Sequence, residues 1–459
     1  MHDLMNDLAK SVMGKFCVQL DVHRPQEIST KARYFSYIGK ENKNLEFFEK
    51  VFKCNQLRSF IQWDEAFFYS FCINDNIISK LSHLKYIRQL SLRGYQTFVE
   101  FSVDISNLKY LHYLDLSGTS IQSFPFSMCL LINLQTLKLR NCHHLTKLPS
   151  NFHKLIDLRH LDLDGCRIQK MPKYMGKLNH LQTMNKFVVA KKGGSSLKEL
   201  GALNHLRGTL TISNMQLIND LTELRGANLK EKLLDKLNLQ WHWQDGYKFN
   251  HRHVDAQHEE NILEVLVPNH SVKELIVERY RGTKFPNWLG DSHILPNLMS
   301  LSFSFCTNCV YLPPLGQLPS LQKLRIEGLK GIRMIGREFY GNGSSNAPFR
   351  CLSYLRFDDM GKWELWNICQ EDESFPCLQE LHILNCPRLT KSLLPHLPSL
   401  RRLVIIGCGK LETTLPKSSC MEDLYLSGCQ KIAVKDMPTW SSTDVLQPLH
   451  DLTLNDCAQ

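Results

Sequence analysis

Leu134-Gln-Thr-Leu137-Lys-Leu139-Arg-Asn-Cys142 is followed, 24 residues on, by Leu158-Arg-His-Leu161-Asp-Leu163-Asp-Gly-Cys166. In both stretches a leucine opens an alternating aliphatic step and a cysteine stands five residues after it. The same register returns as Leu301-Ser-Phe303 to Cys306, Leu381-His-Ile383 to Cys386 and Leu403-Val-Ile405 to Cys408. It returns twice more, as Leu424-Tyr-Leu426 to Cys429 and Leu452-Thr-Leu454 to Cys457. Successive side chains of a strand point to opposite faces, so the two aliphatic residues of each step go inward and the residue between them goes out. The chain then turns, where a small polar or thiol group pairs with backbone that burial would otherwise orphan.

With a leucine usually three residues before the opening one, the unit is L-x-x-L-x-L-x-x-N/C, the leucine-rich-repeat pattern. One unit cannot bury its own apolar face, so neighbours stack and the core runs along the array. The expected fold is an α/β repeat, a leucine-rich-repeat solenoid or horseshoe. Its parallel β-sheet lies on the concave face, and a short helical remnant precedes it.

Opening residues at 90, 114, 137, 161 and, more weakly, Met184 give spacings of 24, 23, 24 and 23. From about 186 to 300 the period loosens, with steps at Leu210, Leu237 and Leu275, and the extra length falls in a polar, histidine-rich stretch near 243–260 read as a solvated loop. Units resume at Leu301, Leu324, Leu355, Leu381, Leu403, Leu424 and Leu452. About fifteen strands in one ladder, roughly 70 Å along its arc, are expected. Three segments follow: a helical remnant over 1–20, degenerate capping repeats over 21–80, and the array over 81–459. In the first, Leu4, Leu8 and Val12 with Met5, Ala9 and Met13 form one stripe of an amphipathic helix from Asp3 to Lys15. In the second, Arg33–Tyr37 and Leu57–Ile61 read as degenerate strands.

Composition is that of a globular protein, 43% hydrophobic and 22% charged. No apolar run reaches the roughly 18 residues of a membrane span, and the acidic start Met1-His2-Asp3 is unlike a secretory signal. A cytoplasmic chain with reduced thiols is the expectation, although 16 cysteines are present. The net charge of +10 is spread along the array, without the dense basic stripe and aromatic platforms that nucleic acid requires. Cys306-Thr-Asn-Cys309 is a lone C-x-x-C whose first member already fills the repeat register, which favours burial over a metal site. His251, His253, His258, Glu259 and Glu260 do not form H-E-x-x-H. No nucleophile elbow or dinucleotide fingerprint occurs, so neither an enzyme nor a cofactor is expected.

Met1-His2-Asp3-Leu4-Met5-Asn6-Asp7-Leu8-Ala9 resembles the Met-His-Asp motif, with the helix that follows it, of the plant coiled-coil nucleotide-binding leucine-rich-repeat disease resistance proteins. The array beginning near Leu81, Phe285-Pro-Asn-Trp288-Leu289 and the run from Leu312-Pro-Pro to Leu324 are similar to that family's later repeats, so the likeness covers nearly the whole chain. It implies a C-terminal recognition region that senses a pathogen effector or a host target and restrains the receptor's nucleotide-binding module. His2 is the residue that faces bound ADP in that family. Here no G-x-x-x-x-G-K-[ST] loop occurs, so the nucleotide-binding module is expected to be missing and His2 has a nucleotide to read only if that module is present. A standalone intracellular leucine-rich-repeat scaffold, or a fragment of an ATP/ADP-switched receptor, are the alternatives.

Function on this reading falls to outward-pointing residues of the concave face, where tyrosine and arginine most often anchor partners. The candidates are Arg88, Arg93, His112, Tyr113, Lys138, Arg140, Arg159 and His160 in the first block. Arg325, Tyr354, Arg356, His382, Arg401 and Tyr425 belong to the later one. The expected partner is a protein, with no nucleic acid and no membrane span.

Overall fold

The computed structural model describes residues 14–21, 28–38, 51, 53–62, 83–96, 98–101, 104–190, 193–241, 255–341, 347–367, 374–390, 396–412, 415–416, 418, 420–429 and 451–455. His2, nearly all of the expected 3–15 helix, residues 243–254 of the long insertion and Cys457 lie outside them.

The first sheet has eight parallel strands in sequence order: β1 (Cys17–Asp21), β2 (Tyr34–Ile38), β3 (Ser59–Gln62), β4 (Gln89–Ser91), β5 (Tyr113–Asp115), β6 (Thr136–Lys138), β7 (His160–Asp162) and β8 (Thr183–Met184). The second has eleven. It begins with β9 (Lys186–Val188), β10 (Arg207–Ser213), β11 (Leu233–Gln240), β12 (Glu274–Glu278), β13 (Ser300–Ser304) and β14 (Lys323–Glu327). It continues through β16 (Tyr354–Asp358), β18 (Glu380–Leu384), β19 (Arg402–Ile406), β20 (Asp423–Ser427) and β21 (Asp451–Asn455). Between them in the chain, β15 (Met334–Ile335) and β17 (Leu365–Trp366) form a two-stranded ribbon.

The single fifteen-strand ladder is therefore corrected to two sheets, with two compact units, 1–209 and 210–459. Only Asn185 separates β8 from β9. The count rises because short strands such as Lys186–Val188 carry no L-x-L signature. The ladder also starts at Cys17, inside the segment read as helical, with β1 pairing residue for residue with β2.

Register confirms which side chains face the core. Leu137 pairs with Leu161, Leu301 with Leu324 and Leu381 with Leu403, all buried. Four residues after the opening leucine, just beyond the strand, many repeats place a left-handed residue: Gly94, Gly118, Asn141 and Gly165 in the first unit, and Phe305, Gly328, Asn385, Gly407 and Gly428 in the second. Glycine and asparagine tolerate that conformation best, which is why they precede the register cysteine so often. The thiol that follows reaches back to the preceding repeat, as from Cys166 Sγ to the Leu139 carbonyl at 2.9 Å. Cys142, Cys166, Cys306, Cys386, Cys408 and Cys429 are all buried.

The return paths are mostly 3₁₀ turns. One exception corrects the loop expected through residue 260: Ala256–Val265 is an α-helix, α2, preceded by the short α1 (Leu221–Gly226). Asp255 caps the start of α2, accepting from the His258 amide, while Ile262 and Leu263 are buried. Glu259 accepts from the Trp241 indole, and Glu260 accepts from the Thr283 amide at 2.9 Å and its hydroxyl at 2.6 Å. The two acids hold the helix to the array, so residues 256–260, which look solvated by composition, belong to a packed helix.

Candidate functional site

Because the core claims alternate residues, each strand leaves outward positions free, and parallel pairing aligns them in rows. In the first unit one row runs Gln89, Tyr113, Thr136, His160 and Thr183. The row beside it runs Ser91, Asp115, Lys138 and Asp162. Tyr113 donates to Asp115 at 3.1 Å and lies beneath the Lys138 ammonium, 5.5 Å from the ring centroid. Burial and the Asp115 charge push the Tyr113 hydroxyl well above the ordinary tyrosine value, so it stays a neutral donor. His160 Nδ1 lies 3.0 Å from the Thr183 hydroxyl. Burial, reinforced by Arg207, Arg159 and Lys138, pulls its pKa down. Arg140 pairs with Asp164 at 3.1 Å, both more than half exposed.

Arg88 and Arg159 are exposed at strand entrances, and Arg93 is half-buried beyond β4. His112 does not join the row, because its Nδ1 turns back onto the Tyr110 carbonyl of its own turn. Asn185, which the sequence did not single out, donates to Asp162 and accepts from the Leu163 amide at 2.8 Å.

In the second unit the central row reads Ser302, Arg325, Arg356, His382, Val404 and Tyr425. Arg325 sits over the Tyr354 ring at 5.4 Å, and that ring lies 5.2 Å from His382. Asp358, itself buried, fixes Arg356 at 2.6 Å and accepts from Asn385 at 3.1 Å. His382 contacts Glu380 at 3.2 Å, and burial lowers its pKa despite that carboxylate. Arg402 pairs with Asp423 at 3.2 Å and Arg401 with Glu422 at 3.1 Å.

On β18 to β20 the face changes character. Val404 and Ile406 point outward, beside outward Leu384 of β18, on a face where polar residues predominate. With Tyr425, His382, Arg402 and Asp423 they line a hollow of about 280 Å³. Charged and aromatic residue types alone do not mark this aliphatic floor. Its signal was present: Leu403, Val404, Ile405 and Ile406 run without the apolar–polar alternation of a half-exposed strand. The hollow can take an apolar side chain between a guanidinium and a carboxylate.

Cys306 and Cys309 are buried, their thiols on the Val277 and Gly282 carbonyls at 3.6 and 3.3 Å, and burial pushes the Cys306 thiol up to about 12. Among the described residues no group of three or more His, Cys, Asp or Glu side chains is placed to hold a metal. No described helix is long and apolar enough to cross a membrane.

Residues 197–329 match the family described as R13L1/DRL21 LRRs, and residues 133–155 match Leucine Rich Repeat. A putative disease resistance protein of Arabidopsis thaliana, At3g14460, is 40% identical over 416 residues, 89% of this chain and 29% of that one. The putative disease resistance RPP13-like protein 1 of the same plant is 36% identical over 423 residues, 90% of this chain and 40% of its own length. The homologues of this chain are plant disease resistance proteins. The disease resistance protein RGA2 of Solanum bulbocastanum extends that set at 32% identity over 272 residues, 56% of this chain and 26% of the relative. The chain spans well under half the length of these relatives. Its strands and αL turns are those of a leucine-rich-repeat solenoid.

Proposed function

We propose that the chain is a non-enzymatic recognition region of a plant immune receptor. On this reading it acts in the cytoplasm, where the outward face of β14 to β20 binds a pathogen effector or a host target protein. The observation that carries this reading is the apolar floor of Val404 and Ile406, continued by Leu384 beside Ile406, ringed by Arg402, His382, Asp423 and Tyr425. Interfaces are anchored where an apolar or aromatic group is desolvated inside a polar rim. Arg325, Tyr354 and Arg356 extend that rim along the row. Homology to disease resistance proteins supports the immune assignment, and restraint of a nucleotide-binding module is part of the same proposal.

Affinity capture with the purified chain from pathogen-challenged leaf tissue supplies the test. The captured protein is purified and titrated against wild type and Val404→Asp. The expected result is binding weakened roughly tenfold or more by the substitution, as for an interface anchor. Equal affinity for both would overturn the assignment of this face. Restraint is checked by placing the chain in the repeat position of the full-length RPP13-like relative. A silent receptor supports it and a constitutively active one refutes it.

A further inference from the structure

The turns that enter the strands of the first unit carry a feature that recognition by the sheet face does not use. Ile87, Leu111, Leu134 and Leu158 each donate a backbone N–H to the residue three before, at 2.9 to 3.0 Å, which leaves two residues at the tip of each turn. Those tips are Lys85-Tyr86, Lys109-Tyr110, Ile132-Asn133 and Ile156-Asp157. Tyr86, Tyr110, Ile132 and Ile156 are 52, 51, 53 and 52% exposed. Tyr86 and Tyr110 stack on one another, with centroids 6.2 Å apart. A single exposed apolar residue is ordinary, but four on successive repeats, the two tyrosines at the second tip position and the two isoleucines at the first, make an apolar series along this edge. Equivalent turns of the second unit are built differently, with Pro296-Asn297, Pro376-Cys377 and Pro398-Ser399 at their tips.

We infer that this line of turn tips is a docking edge for an acidic amphipathic helix of another protein. Charge argues for the acid. Lys85 and Lys109 share the tips, and exposed Lys154 precedes the fourth turn; none has an ion-pair partner among the described residues. Asp157 is the one acid at these four tips.

Spacing argues for the helix. Neighbouring repeats stand about 4.8 Å apart, so the line is about 14 Å long. A helix repeats its face every 5.4 Å or so, and about ten of its residues cover that length with one apolar side chain for each gap between tips. An extended segment, at about 6.7 Å between same-face residues, runs out of step. A second copy of this chain is disfavoured because its edge presents the same lysines on a molecule of net charge +10. An anionic membrane would want a broad apolar face rather than a line one residue wide.

The probe is a synthetic helical peptide of about 16 residues with leucine on one face and glutamate on the other, read by fluorescence anisotropy against the full chain. Its counterpart carries lysine for glutamate. The inference expects binding of the acidic peptide only, weakened by salt, and weakened roughly tenfold or more by Tyr110→Glu/Ile132→Glu and by Lys85→Glu/Lys109→Glu. Both variants lie at exposed positions and should keep the wild-type urea midpoint. Val404→Asp should leave this binding unchanged, which separates the edge from the sheet face. Four results overturn it: no binding, equal binding by the edge variants, preference for phosphatidylserine vesicles over the peptide, or self-association that the same variants abolish.

Discussion

The Cys142 thiol donates to the carbonyl of Leu116, 3.0 Å away in the preceding repeat. That carbonyl also accepts from the Thr119 hydroxyl at 2.8 Å, so loss of the thiol does not orphan it. Cys142→Ala is therefore expected to cost about 1 kcal/mol, from one lost hydrogen bond and a small void. Cys142→Ser, which keeps a donor, should recover part of it. Urea unfolding of the three proteins checks the order, and an alanine variant less costly than serine contradicts it.

Burial decides thiol reactivity, because the thiolate is the nucleophile and desolvation opposes its formation. Cys351 and Cys377 are exposed, whereas Cys166, Cys306, Cys309 and Cys386 are buried. Brief alkylation of the native protein followed by peptide mapping should label the first two and spare the other four until urea unfolds the array. Early labelling at Cys306 would place the register thiols wrongly.

Gly165 stands just beyond β7 at φ +72°, and a Cβ there would collide with Asn141 Oδ1. Both the left-handed backbone and the contact penalise a side chain, so Gly165→Ala should destabilise by about 1–3 kcal/mol. Gly361 has nothing within 4 Å of the same atom, and Gly361→Ala should shift stability by no more than about 0.5 kcal/mol. Comparable losses at both positions would remove the turn from the argument.

His160 and His382 both have pKa values lowered first by burial. The unfolded chain then binds more protons than the folded one just below the ordinary histidine value. This contribution is complete above about pH 6.5 and falls away as pH drops through it. The urea midpoint should decline between about pH 7 and pH 5.5, and His160→Gln/His382→Gln should flatten that decline. An identical slope in the double variant assigns the pH dependence elsewhere.

Asp358 holds Arg356 at 2.6 Å, with its side chain only 13% exposed. Asp358→Ala removes the anchor and leaves Asn385 without that acceptor, at a cost of about 1–3 kcal/mol. If Arg356 contacts the partner, the same variant lowers affinity beyond what its stability explains, read by titration below the onset of unfolding. Arg356→Ala in the same background should then add little.

The repeat register was legible because one geometric demand recurs: two aliphatic residues inward, a left-handed turn, then a thiol. Leu137, Leu161, Leu381 and Leu403 all fall where that demand puts them. What stayed hidden depends on longer-range packing. Glu259 and Glu260 look solvated until Trp241 and Thr283 are placed beside them, and a break after β8 leaves no mark when Asn185 is an ordinary asparagine. The outward rows followed from alternation alone. Which members are tied down did not, since Asp358 is held by Asn385 of the next repeat as well as by Arg356 on its own strand, and Asn185 bonds to Asp162 and Leu163 of the repeat before.

The left-handed residue before each register thiol has a consequence for how such a chain can change. The junctions at Asn141, Gly165, Asn385, Gly407 and Gly428 use the same local chemistry, so cutting and rejoining in phase, a whole segment gained or lost, regenerates a joint the molecule already knows how to make. A single inserted residue inside a strand instead turns the aliphatic side chains beyond it toward water. Innovation by shuffling entire modules is thus cheap in structural terms, while frame errors of one residue are punished at once.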